Sequence, residues 1–272
     1  MRLGISSFTY KWSFGIPGYP SAKNPLDAEK LIQRACDLGV DVVQLGDNIP
    51  LHTETERELS KLKGAADERG IILEIGTTGT EPGGLMSYLE IARQLGAGLI
   101  RTIVGTRQKA DDPKTAESNL RQVVEAYEEA GVFLALENYE LYSVHQLAKL
   151  IGKLGSPMIG ACLDTTNSLG ILETPDIVLE ALAPHAVCLH VKDIRFTRVD
   201  YGLGFSVQGC PVGEGLLDVT KIVERVRSFG RTDSVVLEQW TPYQGSVEET
   251  VALQDRWAEK SLQYLKPIVT ES

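Results

Sequence analysis

Four apolar runs in the second half of the chain stop on an ionisable residue: "FLALE" on Glu137, "GACLD" on Asp164, "AVCLH" on His190 and "SVVLE" on Glu238. A strand that keeps an apolar character and then stops on a charge carries that charge at its end. If the four strands are parallel neighbours, three carboxylates and one imidazole meet at one mouth. They cannot all keep their usual charge states there, because like charges and burial both raise a carboxyl pKa. A divalent cation resolves the conflict. Three hard oxygen donors with one borderline nitrogen suit Mn²⁺, Mg²⁺ or Co²⁺ in a six-coordinate site with positions left for substrate, rather than a closed thiolate zinc site. Glu137, Asp164, His190 and Glu238 are therefore the expected metal ligands.

The stretch "CLHVKD" (188–193) adds a second group. Strand alternation points Cys188, His190 and Lys192 to one side and Leu189, Val191 and Asp193 to the other. Lys192 then faces inward beside His190, where it would orient an anionic or strongly polarised substrate oxygen. Arg101, read as the end of the fourth strand, offers another cation for a carboxylate or phosphate. Arg195 and Arg198 follow on a loop and read more simply as solvated charge. Trp12 and Phe14 lie in the aromatic-rich "TYKWSFGIPGYPSAKN" (9–24); with Tyr19, Phe205 and Trp240 they could wall a pocket and stack on the apolar face of a sugar. Cys162 and Cys188 sit two residues before Asp164 and His190, one layer deeper, and read as core filler rather than ligands.

The elements that must position these groups recur regularly. Eight short apolar runs, at 2–8, 41–46, 71–76, 98–105, 132–138, 158–164, 186–193 and 234–240, alternate with amphipathic segments such as "PLDAEKLIQRACDLG" and "VTKIVERVRSFG". With no linker or break in composition, this predicts one α/β domain over residues 1–272, a single (β/α)8 TIM barrel. An open doubly wound sheet is the weaker alternative, because no GxGxxG turn follows the first run. Two long connections, 9–24 and 194–217, fall on the C-terminal face, where barrels of this kind build their sites.

Composition excludes several classes of function. The 272 residues carry 37 Asp plus Glu against 27 Lys plus Arg, a net charge of −10 that repels polyphosphate and argues against a nucleic-acid partner. No apolar stretch is long enough to span a bilayer, so no membrane partner is expected. The four cysteines, Cys36, Cys162, Cys188 and Cys210, lack metal or disulfide spacing and read as reduced thiols; with no secretory leader, the expected location is cytoplasmic.

"LEN" with Glu137, "LDTTNS" with Asp164, "HVKD" with His190, "LEQW" with Glu238, and "GEGLLD" (213–218) together resemble the xylose-isomerase-like barrels. That family holds sugar isomerases and epimerases, among them tagatose 3-epimerase, hydroxypyruvate isomerase and the inosose enzymes. The resemblance covers nearly the whole chain. It implies a small-molecule carbohydrate substrate and a proton-transfer pair at Glu137 and Glu238. Relatives are often dimers or tetramers, so a homo-oligomer is compatible with it. The chain departs from the epimerase pattern at one place: Asn167 stands where relatives commonly carry a histidine. Asparagine can hydrogen-bond a substrate hydroxyl but cannot shuttle a proton at neutral pH.

The first expectation is a metal-dependent isomerase or epimerase of a keto-sugar or sugar derivative. Charge on the two adjacent oxygens of an α-hydroxy ketone would be stabilised as an enediolate, with Glu137 and Glu238 as base and acid. The alternative is a lyase that uses the same enediolate, a decarboxylase of a 3-oxo sugar acid or a dehydratase. A nuclease of related fold would need more histidines than His52, His145, His185 and His190, and a basic groove that the composition lacks.

Overall fold

The computed structural model describes residues 1–270. Each apolar run becomes a strand: β1 (Arg2–Ser6), β2 (Val42–Leu45), β3 (Ile72–Gly76), β4 (Leu99–Ile103), β5 (Phe133–Glu137), β6 (Ile159–Asp164) and β7 (Ala186–Val191), with β8 (Asp193–Arg198), β9 (Phe205–Cys210) and β10 (Ser234–Leu237) after them. All but β8 and β9 pair in parallel in the order β1-β10-β7-β6-β5-β4-β3-β2 and close on themselves. The protein is a (β/α)8 TIM barrel.

The connecting helices are α1 (Lys11–Phe14), α2 (Ala28–Leu38), α3 (Glu56–Arg69), α4 (Pro82–Leu95), α5 (Pro113–Arg121), α6 (Val124–Ala130), α7 (Val144–Leu154), α8 (Pro175–Leu182), α9 (Val219–Arg227) and α10 (Val247–Thr270). Their ends follow local chemistry. Thr55 with Glu58, and Ser143 with Gln146, form capping boxes at the starts of α3 and α7, and Pro opens α4, α5 and α8, where its missing N–H costs nothing. The apolar stripes of these helices pack on the outside of the barrel in one large core with Leu31, Leu89, Leu147, Leu182 and Leu265. Inside the barrel a smaller cluster holds Val42, Leu99, Ala135, Cys162, Cys188 and Val236. Both cysteines are thus filler below the strand ends, as expected from their spacing.

One connection differs from its sequence reading. The long segment after β7 is an antiparallel β8–β9 hairpin, with Asp193 opposite Cys210 and Arg198 opposite Phe205. Phe196 and Phe205 are exposed on it; neither face is fully buried, so no alternation marked its strands. Asp193 anchors the turn that follows. Its carboxylate accepts from the backbone N–H groups of Gly213, Gly215 and Leu217 at 2.9–3.2 Å. A Cβ at Gly215 would lie 2.0 Å from that carboxylate, which accounts for the glycine in "GEGLLD".

Candidate metal centre

Parallel pairing sets Asp164 on β6 level with His190 on β7, and Cys162 level with Cys188 one layer below. Glu137 closes β5, and Glu238 follows the last residue of β10. Closure of the barrel brings one donor atom from each of Glu137, Asp164, His190 and Glu238 to within 4.8 Å of the others. All four side chains are buried.

The imidazole presents Nδ1 to the carboxylates, 3.1 Å from Glu137 Oε1, 3.5 Å from Glu238 Oε1 and 3.9 Å from Asp164 Oδ2. Its Nε2 has no hydrogen-bond partner among the described residues. Three carboxylate oxygens and one imidazole nitrogen converging on one buried point fit a divalent cation. Without one, the charges on that point have only protein cations to balance them.

Each carboxylate is fixed by its neighbours. Asp164 Oδ1 accepts from the backbone N–H of Thr166 and Asn167, both at 2.8 Å, leaving Oδ2 turned to the centre. Asn138 clamps the same strand end, accepting from Asp164 N at 2.7 Å and donating to Asp164 O at 3.0 Å. Ser6 at the end of β1 donates to Glu238 Oε1 at 3.0 Å. Asn167 donates from Nδ2 to Glu137 Oε1 at 3.1 Å.

The sequence-predicted cations take different places. Lys192 lies at the centre: its buried ammonium pairs with Asp164 Oδ2 and, at 2.9 Å, with Glu238 Oε2, and donates to Asn167 Oδ1 at 3.2 Å. Burial opposes its charge, but Asp164, Glu238 and Glu137 outweigh burial and raise its pKa. Arg101 is buried behind Glu137. Its Nε is 3.2 Å from Glu137 Oε2, off the hydrogen-bond axis, and its other end reaches Asp47 at 2.9 Å and Thr77 O at 3.1 Å. Burial works to raise the Glu137 pKa, yet Arg101 and His190 hold the carboxyl below its usual range.

The aromatic residues also divide. Trp12 is buried, donates from Nε1 to Thr241 O at 2.9 Å, and stacks with Tyr243. It lines a groove of about 340 Å³ with Lys11, Gln208, Gln239 and Trp240, and the Trp240 ring lies 5.8 Å from the Lys192 ammonium. Phe14 instead lines a separate groove of about 330 Å³ with Asp27, Ile49, Glu54 and Lys61, which contains none of the four candidate ligands.

Sequence reading missed Ser6, Lys11, Asp47 and Arg107 at this mouth. Asp47 carried a signal, since "DVVQLGD" is one more apolar run that ends on a carboxylate. Lys11, in a helix of only four residues, and Arg107, in a loop, carried none, because neither stretch has a periodicity to place them.

Known proteins bear on this geometry. Residues 32–268 match the family model of the xylose isomerase-like TIM barrel. The chain is 34% identical over 267 residues to 3-oxo-isoapionate decarboxylase of Pectobacterium atrosepticum, spanning 97% of this chain and 95% of that one. Among solved structures it is similar to D-psicose 3-epimerase from Clostridium cellulolyticum H10, at 17% identity and a TM-score of 0.75 with 99% of each chain covered. A xylose isomerase-like TIM barrel protein from Mycobacterium smegmatis, in complex with magnesium, aligns at 14% identity and a TM-score of 0.71, covering 99% of this chain and 98% of that one. Among the described residues no helix is long and apolar enough to cross a membrane.

Proposed function

Because the chain belongs to the xylose isomerase-like TIM barrel family, we propose that it is a divalent-metal-dependent decarboxylase of a 3-oxo sugar acid. The observation that carries this reading is the 34% identity, over nearly the full length of both chains, to a decarboxylase of such an acid. The isomerase or epimerase expected first finds its relatives at half that identity, where likeness speaks for the fold alone.

The geometry agrees with bond breaking between carbons. In a 3-oxo sugar acid the ketone lies two carbons from the carboxylate carbon. The C1–C2 bond breaks, CO₂ leaves, its electron pair forms the C2–C3 double bond, and the ketone oxygen takes the negative charge. A bound Mn²⁺ or Mg²⁺, held by Glu137, Asp164, His190 and Glu238, would supply Lewis-acid stabilisation of that charge. Lys192 places a fixed ammonium at the same centre and needs no reorganisation to meet the developing charge. Arg101 and Asn167 hold Glu137 in place, and Ser6 holds Glu238. The proton that completes the reaction goes to C2, and the Lys192 ammonium, 2.9 Å from the ionised Glu238 Oε2, is the group we assign to deliver it, its proton being restored from solvent. Asn167 fits this scheme: no base has to remove a proton from carbon, and an amide suffices to orient the carboxylate.

The test is a panel of 3-oxo sugar acids and keto-sugars followed by NMR in D₂O with the Mn²⁺-loaded protein. Release of CO₂ with one solvent deuterium in the product supports the proposal. Deuterium in recovered keto-sugar together with an isomeric product, and no CO₂ from any acid, would return the protein to the isomerases. Loss of water alone would make it a dehydratase.

A further inference from the structure

Three cations surround one aromatic ring beside the metal centre. Phe8 follows β1, and its ring lies 4.8 Å from the Arg107 guanidinium, 5.4 Å from the Lys11 ammonium and 5.7 Å from the Arg101 guanidinium. Gly46 makes room for this ring: a Cβ there would lie 2.6 Å from it. Two of the cations are already matched. Arg101 and Arg107 share Asp47, at 2.9 and 2.8 Å, and Arg101 also faces Glu137. Lys11 has no carboxylate oxygen within 4.0 Å among the described residues. Its charged neighbours are Arg107 and Lys192 on one hand and Asp47 and Glu238 on the other, and the residue itself is exposed to solvent. In a chain of net charge −10, Lys11 is thus a cation with no carboxylate partner, set beside Arg107 over the same ring.

We propose that Lys11 and Arg107, set over Phe8, form the subsite that receives the carboxylate of the substrate and so select sugar acids over uncharged sugars. This rests on the decarboxylase reading and adds to it where the leaving group is held. The chemistry demands such a place. The breaking C1–C2 bond must stand perpendicular to the plane of the ketone for its electrons to enter the new double bond, so the carboxylate has to be held out of that plane. Lys11 also lines the groove of about 340 Å³ together with Trp240, whose ring lies 5.8 Å from the Lys192 ammonium. A substrate that spans from Lys192 to Lys11 would meet Lys192 with its oxygen-rich centre and Lys11 with its outer end. A carboxylate bound in this way becomes neutral CO₂, so the two cations hold the ground state more than the transition state. Their loss belongs in KM rather than in kcat.

Binding measured without turnover tests this. The Mn²⁺-loaded protein is titrated calorimetrically with erythronate, a four-carbon aldonate, and with erythritol, its uncharged counterpart. The wild type is expected to bind the aldonate at least about tenfold more tightly, a difference of one charged hydrogen bond or more. Lys11→Met should weaken the aldonate about tenfold and leave erythritol unchanged, and Arg107→Met should act in the same direction. Equal affinity of the wild type for both probes overturns the proposal, as does an unchanged preference in Lys11→Met. Because Lys11 holds no ion pair, its variant should keep the wild-type Tm, so the result stands even if Arg107→Met unfolds. The titration also separates the two readings: selective aldonate binding that depends on Lys11, in a protein that releases no CO₂, would retain the subsite and remove the decarboxylase.

Discussion

The guanidinium of Arg101 sits behind Glu137, its Nε 3.2 Å from Oε2, while His190 Nδ1 lies 3.1 Å from the opposite oxygen, Oε1. Glu137 is therefore held from two sides, and Arg101 acts through it rather than on open solvent. Removing the arginine leaves Glu137 and Asp47 without their shared cation in a buried place. Breaking a buried pair in this way costs about 3–5 kcal/mol. Arg101→Met should lower stability in urea by that order, and activity with it. A variant that unfolds at the wild-type midpoint would show that Arg101 is free of this pairing.

The four donors should bind one divalent ion per chain. Elemental analysis after reconstitution with Mn²⁺ should give one equivalent in the wild type and far less in Asp164→Asn and His190→Ala. The ion binds only the folded state, so at a hundred times its dissociation constant it should add about 2.7 kcal/mol of stability, lost on treatment with a chelator. A Tm indifferent to chelator and metal would rule the site out.

Lys192 is buried between Asp164 and Glu238, so it is no surface lysine. Lys192→Met should cut turnover at least about a hundredfold, the scale of losing one preorganised charge at a reacting oxygen. It should also lower Tm in the absence of metal, since two carboxylates lose their ammonium. Wild-type turnover in this variant would remove Lys192 from the chemistry.

Glu74 gives the pH prediction. It lies inside the barrel, accepts from Gln44 Nε2 at 3.0 Å, and burial, with Cys188 beside it, pushes its pKa up from 4.5 to about 8. The native state then holds a proton that the unfolded chain releases, so between about pH 4.5 and 8 stability falls as pH rises, and it is fully present only below the lower value. Within that window each step of one in pH removes up to about 1.4 kcal/mol. Glu74→Gln should flatten this part of the stability profile and unfold at a higher denaturant concentration than wild type at pH 8.5. An identical slope in both proteins would exclude Glu74 as its source.

The strands, their parallel order and the four charged strand ends were legible because each rests on a pattern within a few consecutive residues. An apolar run of strand length that stops on a charge declares both a buried strand and a charged end, and right-handed βαβ connection leaves few ways to order eight of them. Glycine at or near the end of the amphipathic segments marked helix C-termini for the same local reason. The β8–β9 hairpin stayed hidden, because a ladder with neither face fully buried leaves no alternation to read.

What only the tertiary structure decided is which charges share a partner. Arg101, read as a substrate contact, proves to lie behind Glu137, and Asp47, from a loop two strands away, joins it to Arg107. Phe14, at the far end of the short helix α1, turns to another groove, while Lys11, at its start, lies over the Phe8 ring. Such pairings depend on side-chain directions across loops, which follow no period. The sequence determined that three carboxylates and an imidazole would meet at one barrel mouth. Closure of the barrel decided which cations would stand among them, because a charge within about 3 or 4 Å outweighs everything its own sequence neighbours can do.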